Sequence, residues 1–160
     1  MEINVIDNFL PQDQFNHIQD LLMGPWFPWY YNKSIVDYDD SKFQFTHIFY
    51  LDKNQPSQFL SLFDYSQSIL GVKTLFRIKS NLTVKTSSHQ NTGFHIDDFS
   101  EATKTAILYI NTNDGGTKFH NHDIVNSVAN RIVIFDPNIE HAGITCTNQK
   151  TRVVVNFNYA

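Results

Sequence analysis

The chain has 160 residues, 41% hydrophobic and 14% aromatic with fourteen Phe, enough to bury the core of one domain over 1–160 and too apolar for a disordered segment. A formal charge of −4 leaves no footprint for nucleic acid or an anionic membrane, so neither is expected as a partner. The lone Cys146 excludes an intramolecular disulfide, the residues Met1 to Asn4 lack a basic and apolar leader, and no run nears the ~18 apolar residues of a membrane span; a soluble cytoplasmic protein is expected.

Ile3, Val5 and Phe9 begin a short amphipathic strand, and Pro11 opens a helix with Phe15, Ile18, Leu21 and Leu22 at helical spacing, stopped by Gly24-Pro25. Tyr30 to Val36 and Phe43 to Leu51 read as a hairpin around the polar Asp37 to Ser41. The aromatic run Trp26 to Tyr31 between these elements fits core, substrate rim or a dimer contact. A second helix is predicted from Pro56 to Leu70, with Phe59, Leu62, Phe63 and Ile69 inward and Gly71 ending it.

After Gly71 the pattern becomes β: Thr74 to Lys85, Lys104 to Asn111, Gly116 to His120, Ile124 to Val128, Arg131 to Phe135 and Thr151 to Tyr159, separated by turn signals at Asn113 to Gly116, Ala129-Asn130 and Asp136 to Asn138. Short strands with such punctuation predict a mostly β fold with amino-terminal helices, a jelly roll or cupin-like barrel. Residues 1–71 would support a core over 72–160.

Strand side chains alternate with a period of two. In the last strand Val153, Val155 and Phe157 suit packing against the helices, which turns Arg152, Val154 and Asn156 into the barrel; Tyr109, sharing a face with Thr105 and Ile107, can turn the same way. An interior arginine is unfavourable unless an anion meets it, and a guanidinium grips a carboxylate with two prongs. The pattern points to a bound dicarboxylate.

His95-Ile96-Asp97 followed by His141 offers two imidazoles and one carboxylate, a set that leaves metal positions open, as in non-haem Fe(II) oxygenases. With seven His in the chain, one chance HxD or HxE is nearly expected, ~0.7 per chain. The order of the surrounding motifs therefore matters more than the triplet. His120 and His122 form a competing HxH, the start of a cupin metal motif, although only Asp123 follows where that motif has a later glutamate.

Taken in order, Gly93-Phe94-His95-Ile96-Asp97, Thr105 to Asn111, Gly115-Gly116-Thr117-Lys118-Phe119, Ile134-Phe135 before His141, and Thr151 to Val155 resemble the Fe(II)/2-oxoglutarate-dependent dioxygenases. The likeness is greatest to their small prolyl-4-hydroxylase-like branch, and it begins at Val5 to Leu10. The resemblance implies a double-stranded β-helix in which His95, Asp97 and His141 bind Fe(II). It further implies that Arg152 binds the distal carboxylate of 2-oxoglutarate with Tyr109 as hydroxyl partner and Asn156 nearby. Oxygen, succinate and CO2 then belong to the reaction, ascorbate is a candidate reductant, and a C–H bond of peptidyl proline or a small metabolite is hydroxylated. The tyrosine that the family carries on the strand before HxD has no aromatic counterpart in Asn81 to Asn91; the alternatives are that Lys85 or His89 takes a related place, or that nothing does. Substrate contacts are expected from Pro25 to Asp40 and Ser87 to Gly93, with Trp29 and His89 as the candidates. A non-catalytic jelly-roll binding module and a cupin-type enzyme using His120 and His122 are the rival readings.

Overall fold

The computed structural model describes residues 2–36, 42–52, 54–97, 99, 101–120 and 122–160. Pro11 closes the extended strand β1 (Asn4–Ile6) segment and opens helix α1 (Gln12–Leu22), whose Phe15, Ile18 and Leu22 form one buried stripe. Strands β2 (Tyr30–Asn32) and β3 (Gln44–Leu51) pair antiparallel as the predicted hairpin, its first strand shorter than expected. The expected turn at Asp37 to Ser41 lies outside the described residues.

The second helix differs from the expectation. Ser57 is held against β3: its amide donates to the Phe49 carbonyl at 2.9 Å and its hydroxyl meets His47 Nε2 at 2.8 Å. Helical structure therefore starts later, as a 3-10 turn over Leu60–Phe63 that runs into α2 (Asp64–Leu70). Phe63 and Ser66 make the buried stripe with Leu70 packed beside it, which leaves Ile69 exposed rather than inward. Gly71, at φ 67°, ends α2 in the left-handed conformation that glycine adopts without strain.

The remaining strands are β4 (Leu75–Val84), β5 (Lys104–Tyr109), β6 (Gly116–Phe119), β7 (Val125–Asn126), β8 (Ile132–Phe135), β9 (His141–Ile144) and β10 (Thr151–Tyr159). They form a seven-stranded sheet ordered β1-β8-β5-β10-β4-β3-β2 and a three-stranded sheet ordered β7-β6-β9, every paired neighbour antiparallel. Strand β9 has no period-two apolar signal, so the sequence does not predict it. It is held by pairing with β6, His141 opposite Phe119.

Alternation in β5 and β10 sorts two cores. Ala106, Leu108, Ile110, Val153, Val155 and Phe157 pack with Phe15, Ile18, Leu22 and Phe63 of the helical layer. Ile107, Tyr109, Val133, Phe135 and Val154 face Phe119 of the smaller sheet. Each fully buried large apolar side chain contributes about 1.5–3 kcal/mol. The polar members of the second face thus stand between the sheets, where the cavity opens. Among the described residues no helix is long and apolar enough to cross a membrane.

The amino-terminal segment is tied down by Asn130, which is 3% exposed and sits at φ 64°. Its Oδ1 accepts from the Leu10 amide at 2.9 Å and its Nδ2 donates to the Leu10 carbonyl at 2.8 Å. Asn130→Gly keeps the left-handed backbone and removes both bonds, so it is expected to lower stability by about 1–3 kcal/mol. Asn130→Ala adds backbone strain and should lower it further. Urea midpoints of the two variants check the order.

Candidate metal centre and its cavity

His95 and His141 exchange backbone hydrogen bonds, each amide to the other's carbonyl at 3.0 Å, forming an isolated antiparallel bridge. This sets their rings side by side with centroids 4.5 Å apart. Asp97, two residues after His95 in extended chain, projects to the same side. The ligand atoms of His95, Asp97 and His141 lie within 4.8 Å of one another, and this is the one such group of His, Cys, Asp or Glu among the described residues.

Hydrogen bonding prepares the three for a cation. The Nδ1 of His95 lies 3.2 Å from the Gly93 carbonyl, and that of His141 lies 3.0 Å from the Ile139 carbonyl. A carbonyl only accepts, so each Nδ1 carries the proton and each Nε2 keeps a free lone pair. Burial lowers the His141 pKa and favours its neutral, ligating form, while the Phe135 ring packs 4.8 Å from it. Asp97 Oδ1 accepts from Arg77 Nη2 at 3.2 Å; its Oδ2 accepts from Thr105 Oγ1 at 2.8 Å and Asn158 Nδ2 at 2.9 Å. Burial alone would raise the Asp97 pKa, but Arg77, His141, Asn158 and Thr105 outweigh it and hold the carboxyl below its usual range. The donor set and its supports fit a divalent metal of the iron type.

The triad opens on a cavity of roughly 280 Å³, at the small end of small-molecule sites. Gly93, at φ 111°, passes so close to Val36 on the cavity wall that an added Cβ would stand 3.2 Å from its methyl. At the far end lies Arg152, only 6% exposed. Its Nε donates to Ser127 Oγ at 3.2 Å and its Nη2 to Thr117 Oγ1 at 3.3 Å, and no carboxylate pairs with it among the described residues. Burial lowers its pKa, the sign of a charge removed from water without an anion to compensate. Beside it on the wall, Asn81 Oδ1 and Thr83 Oγ1 are buried without hydrogen-bond partners among the described residues.

The other residues singled out from the sequence are dispersed. Asn156 lines the cavity, but Tyr109 does not. The Tyr109 hydroxyl donates to Thr117 Oγ1 at 2.8 Å, and Thr117 is on the wall. Thr117 Oγ1 thereby accepts from both Tyr109 and Arg152, leaving its own proton to donate. Trp29 packs against the helical core and donates to the Leu22 carbonyl at 3.3 Å, away from the cavity. His89 is likewise absent from the cavity wall: its Nδ1 meets the Thr145 carbonyl at 2.9 Å and its Nε2 faces Asp114 at 3.6 Å. His120 is an exposed partner of Glu140 at 3.7 Å, and neither it nor His122 joins a metal-ligating group. Trp26 is 90% exposed, whereas Phe27 is core.

Sequence reasoning missed the wall built by β4. Arg77, Lys79, Asn81 and Thr83 alternate with Phe76, Ile78, Ser80 and Leu82, and the first set lines the cavity. The period-two pattern was the available signal. Asn158 extends the inward face of β10 by one more step, to Asp97.

No family model matches the sequence, and no curated protein matches it. Among solved structures the chain is similar to an oxidoreductase of the 2OG-Fe(II) oxygenase family from Burkholderia pseudomallei, with a TM-score of 0.75 at 12% identity, over 99% of this chain and 84% of that one. It is similar to a prolyl hydroxylase from Trichoplax adhaerens in complex with a peptide fragment of the hypoxia inducible factor oxygen degradation domain, with a TM-score of 0.66 at 12% identity, over 98% of this chain and 82% of that one. A non-haem α-ketoglutarate-dependent epimerase of nogalamycin biosynthesis also has a TM-score of 0.66 at 12% identity, over 99% of this chain and 77% of that one. The fold is thus one shared by 2-oxoglutarate- and iron-dependent oxygenases, prolyl hydroxylases among them, over nearly the whole chain.

Proposed function

We propose that this chain is a non-haem Fe(II)- and 2-oxoglutarate-dependent dioxygenase on a double-stranded β-helix, one domain over 1–160. It hydroxylates a C–H bond of a peptidyl or small-molecule substrate, with formation of succinate and CO2. The observation that carries this reading is one cavity with a His95-Asp97-His141 triad at one end and, at the other, the buried Arg152, which has no carboxylate partner among the described residues. Bound iron supplies the activation of oxygen, with ascorbate as a candidate reductant; the remaining roles fall to the chain. His95 and His141 present Nε2, and Arg77, Thr105 and Asn158 orient Asp97. Arg152 takes the far carboxylate of 2-oxoglutarate in a two-pronged grip, and the Thr117 hydroxyl, oriented by Tyr109, adds a donor. The apolar side chains of Ile107 and Val154 on the wall limit water around the cosubstrate chain.

Protein given Fe(II), 2-oxoglutarate, oxygen and ascorbate is expected to form succinate slowly without substrate and faster when a substrate couples the reaction. Crystals soaked with iron should show anomalous density at His95, Asp97 and His141. Stoichiometric 2-oxoglutarate binding with no succinate under any condition would favour a non-catalytic binding module.

A further inference from the structure

Among the described residues Lys79 is the one cavity-lining cation with neither a protein partner nor a role assigned above. Arg77 is engaged with Asp97 and Asn158, and Arg152 is assigned above to the far carboxylate. The Lys79 ammonium makes no hydrogen bond or ion pair among the described residues. Burial, then the neighbouring Arg77 charge, lower its pKa to about 8, against a smaller opposing pull from Asp97. It is therefore mostly charged at neutral pH, and an anion would relieve its desolvation.

Its position separates it from the cosubstrate's far anchor. On the β4–β10 ladder Lys79 stands opposite Asn156, whereas Arg152 stands opposite Thr83, four residues along. Those rungs are roughly 13 Å apart at ~3.3 Å per residue. By the same register the Asn158–Arg77 rung, whose side chains grip Asp97, lies two residues beyond Lys79, so Lys79 stands between the far anchor and the triad. A cosubstrate held by Arg152 would turn its other carboxylate to a metal held by His95, Asp97 and His141, and that metal would meet the charge.

Resting on the cosubstrate reading above, we propose that Lys79, with the Asn156 amide across the ladder, forms a second anion subsite that holds the primary substrate, and that this substrate is a small carboxylic acid. One ammonium and one neutral amide match a single carboxylate.

The test uses protein loaded with Zn(II), which prevents turnover, and saturated with 2-oxoglutarate. Butyrate and its neutral isostere butyramide are titrated by ligand-observed NMR. Butyrate is expected to bind roughly tenfold or more tighter than butyramide. Lys79→Met should erase that preference, Lys79→Arg should keep it, and the 2-oxoglutarate Kd should stay within about twofold in both. Equal binding of acid and amide by the unmodified protein, or a preference that survives Lys79→Met, would overturn the proposal. A tenfold or greater loss of 2-oxoglutarate affinity in Lys79→Met would assign Lys79 to the cosubstrate, overturning the proposal while leaving the oxygenase reading intact. Failure of the unmodified protein to bind 2-oxoglutarate would sink that reading instead. The Lys79 dependence of the acid preference, measured without cosubstrate in an Arg152→Ala background, would still decide the subsite by itself.

Discussion

Asp97→Asn is expected to lower affinity for a divalent metal by at least about 100-fold and to bring succinate formation to background. Removing a group that merely orients a metal ligand costs about 10–100-fold in affinity, so replacing the charged ligand itself with a neutral amide should cost more. The amide is isosteric, and its oxygen still accepts from Thr105 or Asn158, which keeps the local hydrogen bonds largely formed. Arg77→Met provides the graded comparison. Arg77 touches Asp97 and not the metal position, so its loss should fall within the 10–100-fold range and leave residual turnover. Competition between each variant and a fluorescent chelator for Mn(II) or Fe(II) gives the ranking. If Arg77→Met lost as much affinity as Asp97→Asn, the guanidinium would be holding up the whole site and not only aiming one carboxylate. Circular dichroism of both metal-free variants separates loss of metal from loss of fold.

What the sequence makes legible follows from the reach of its periodicities. In β10 the alternation of Val153, Val155 and Phe157 with Arg152, Val154 and Asn156 is a local property, so both faces could be assigned without knowing what lay opposite, and the apolar face does meet α1 and α2. The same rule, applied to β4, would have exposed Arg77, Lys79, Asn81 and Thr83 as a polar wall. β9 escaped because His141, Ala142, Gly143 and Ile144 carry neither branched residues at alternate positions nor a turn signal, and only pairing with β6 makes them a strand. Contacts between distant segments were illegible for a different reason. That Asp97 is gripped by Arg77 and Asn158 depends on β4 and β10 being neighbours, and strand order is not a local property. Tyr109 faces inward as its alternation suggests, but alternation does not give depth, and its hydroxyl stops at Thr117. Trp29 and His89 are aromatic or polar and lie near the motifs in sequence, a nearness that strand pairing does not preserve.

Arg152→Ala is expected to weaken 2-oxoglutarate binding by roughly 30- to several-thousand-fold while changing metal affinity little, because Arg152 touches none of the three ligand side chains. Loss of a buried, charge-assisted contact of this type costs about 2–5 kcal/mol, which converts to that range. Tyr109→Phe removes one hydrogen bond at one remove from the ligand, so it should cost about 0.5–1.5 kcal/mol while the ring stays packed. Thr117→Val removes the wall hydroxyl that Tyr109 and Arg152 both address, and should fall between the two. The order Arg152, Thr117, Tyr109 is the discriminating result, obtained by calorimetric titration of Zn(II)-loaded protein with 2-oxoglutarate. A larger effect at Tyr109 than at Thr117 would mean that the tyrosine turns into the cavity when ligand binds. Folding offers an independent reading of the same guanidinium. A cation that is 6% exposed with no carboxylate partner among the described residues contributes little to the ligand-free fold, so Arg152→Met, which refills the space with apolar atoms, should leave the ligand-free thermal midpoint undiminished even as 2-oxoglutarate affinity collapses. A midpoint that fell along with affinity would make Arg152 a structural residue tied to Thr117 and Ser127, and the cosubstrate assignment would lose its anchor.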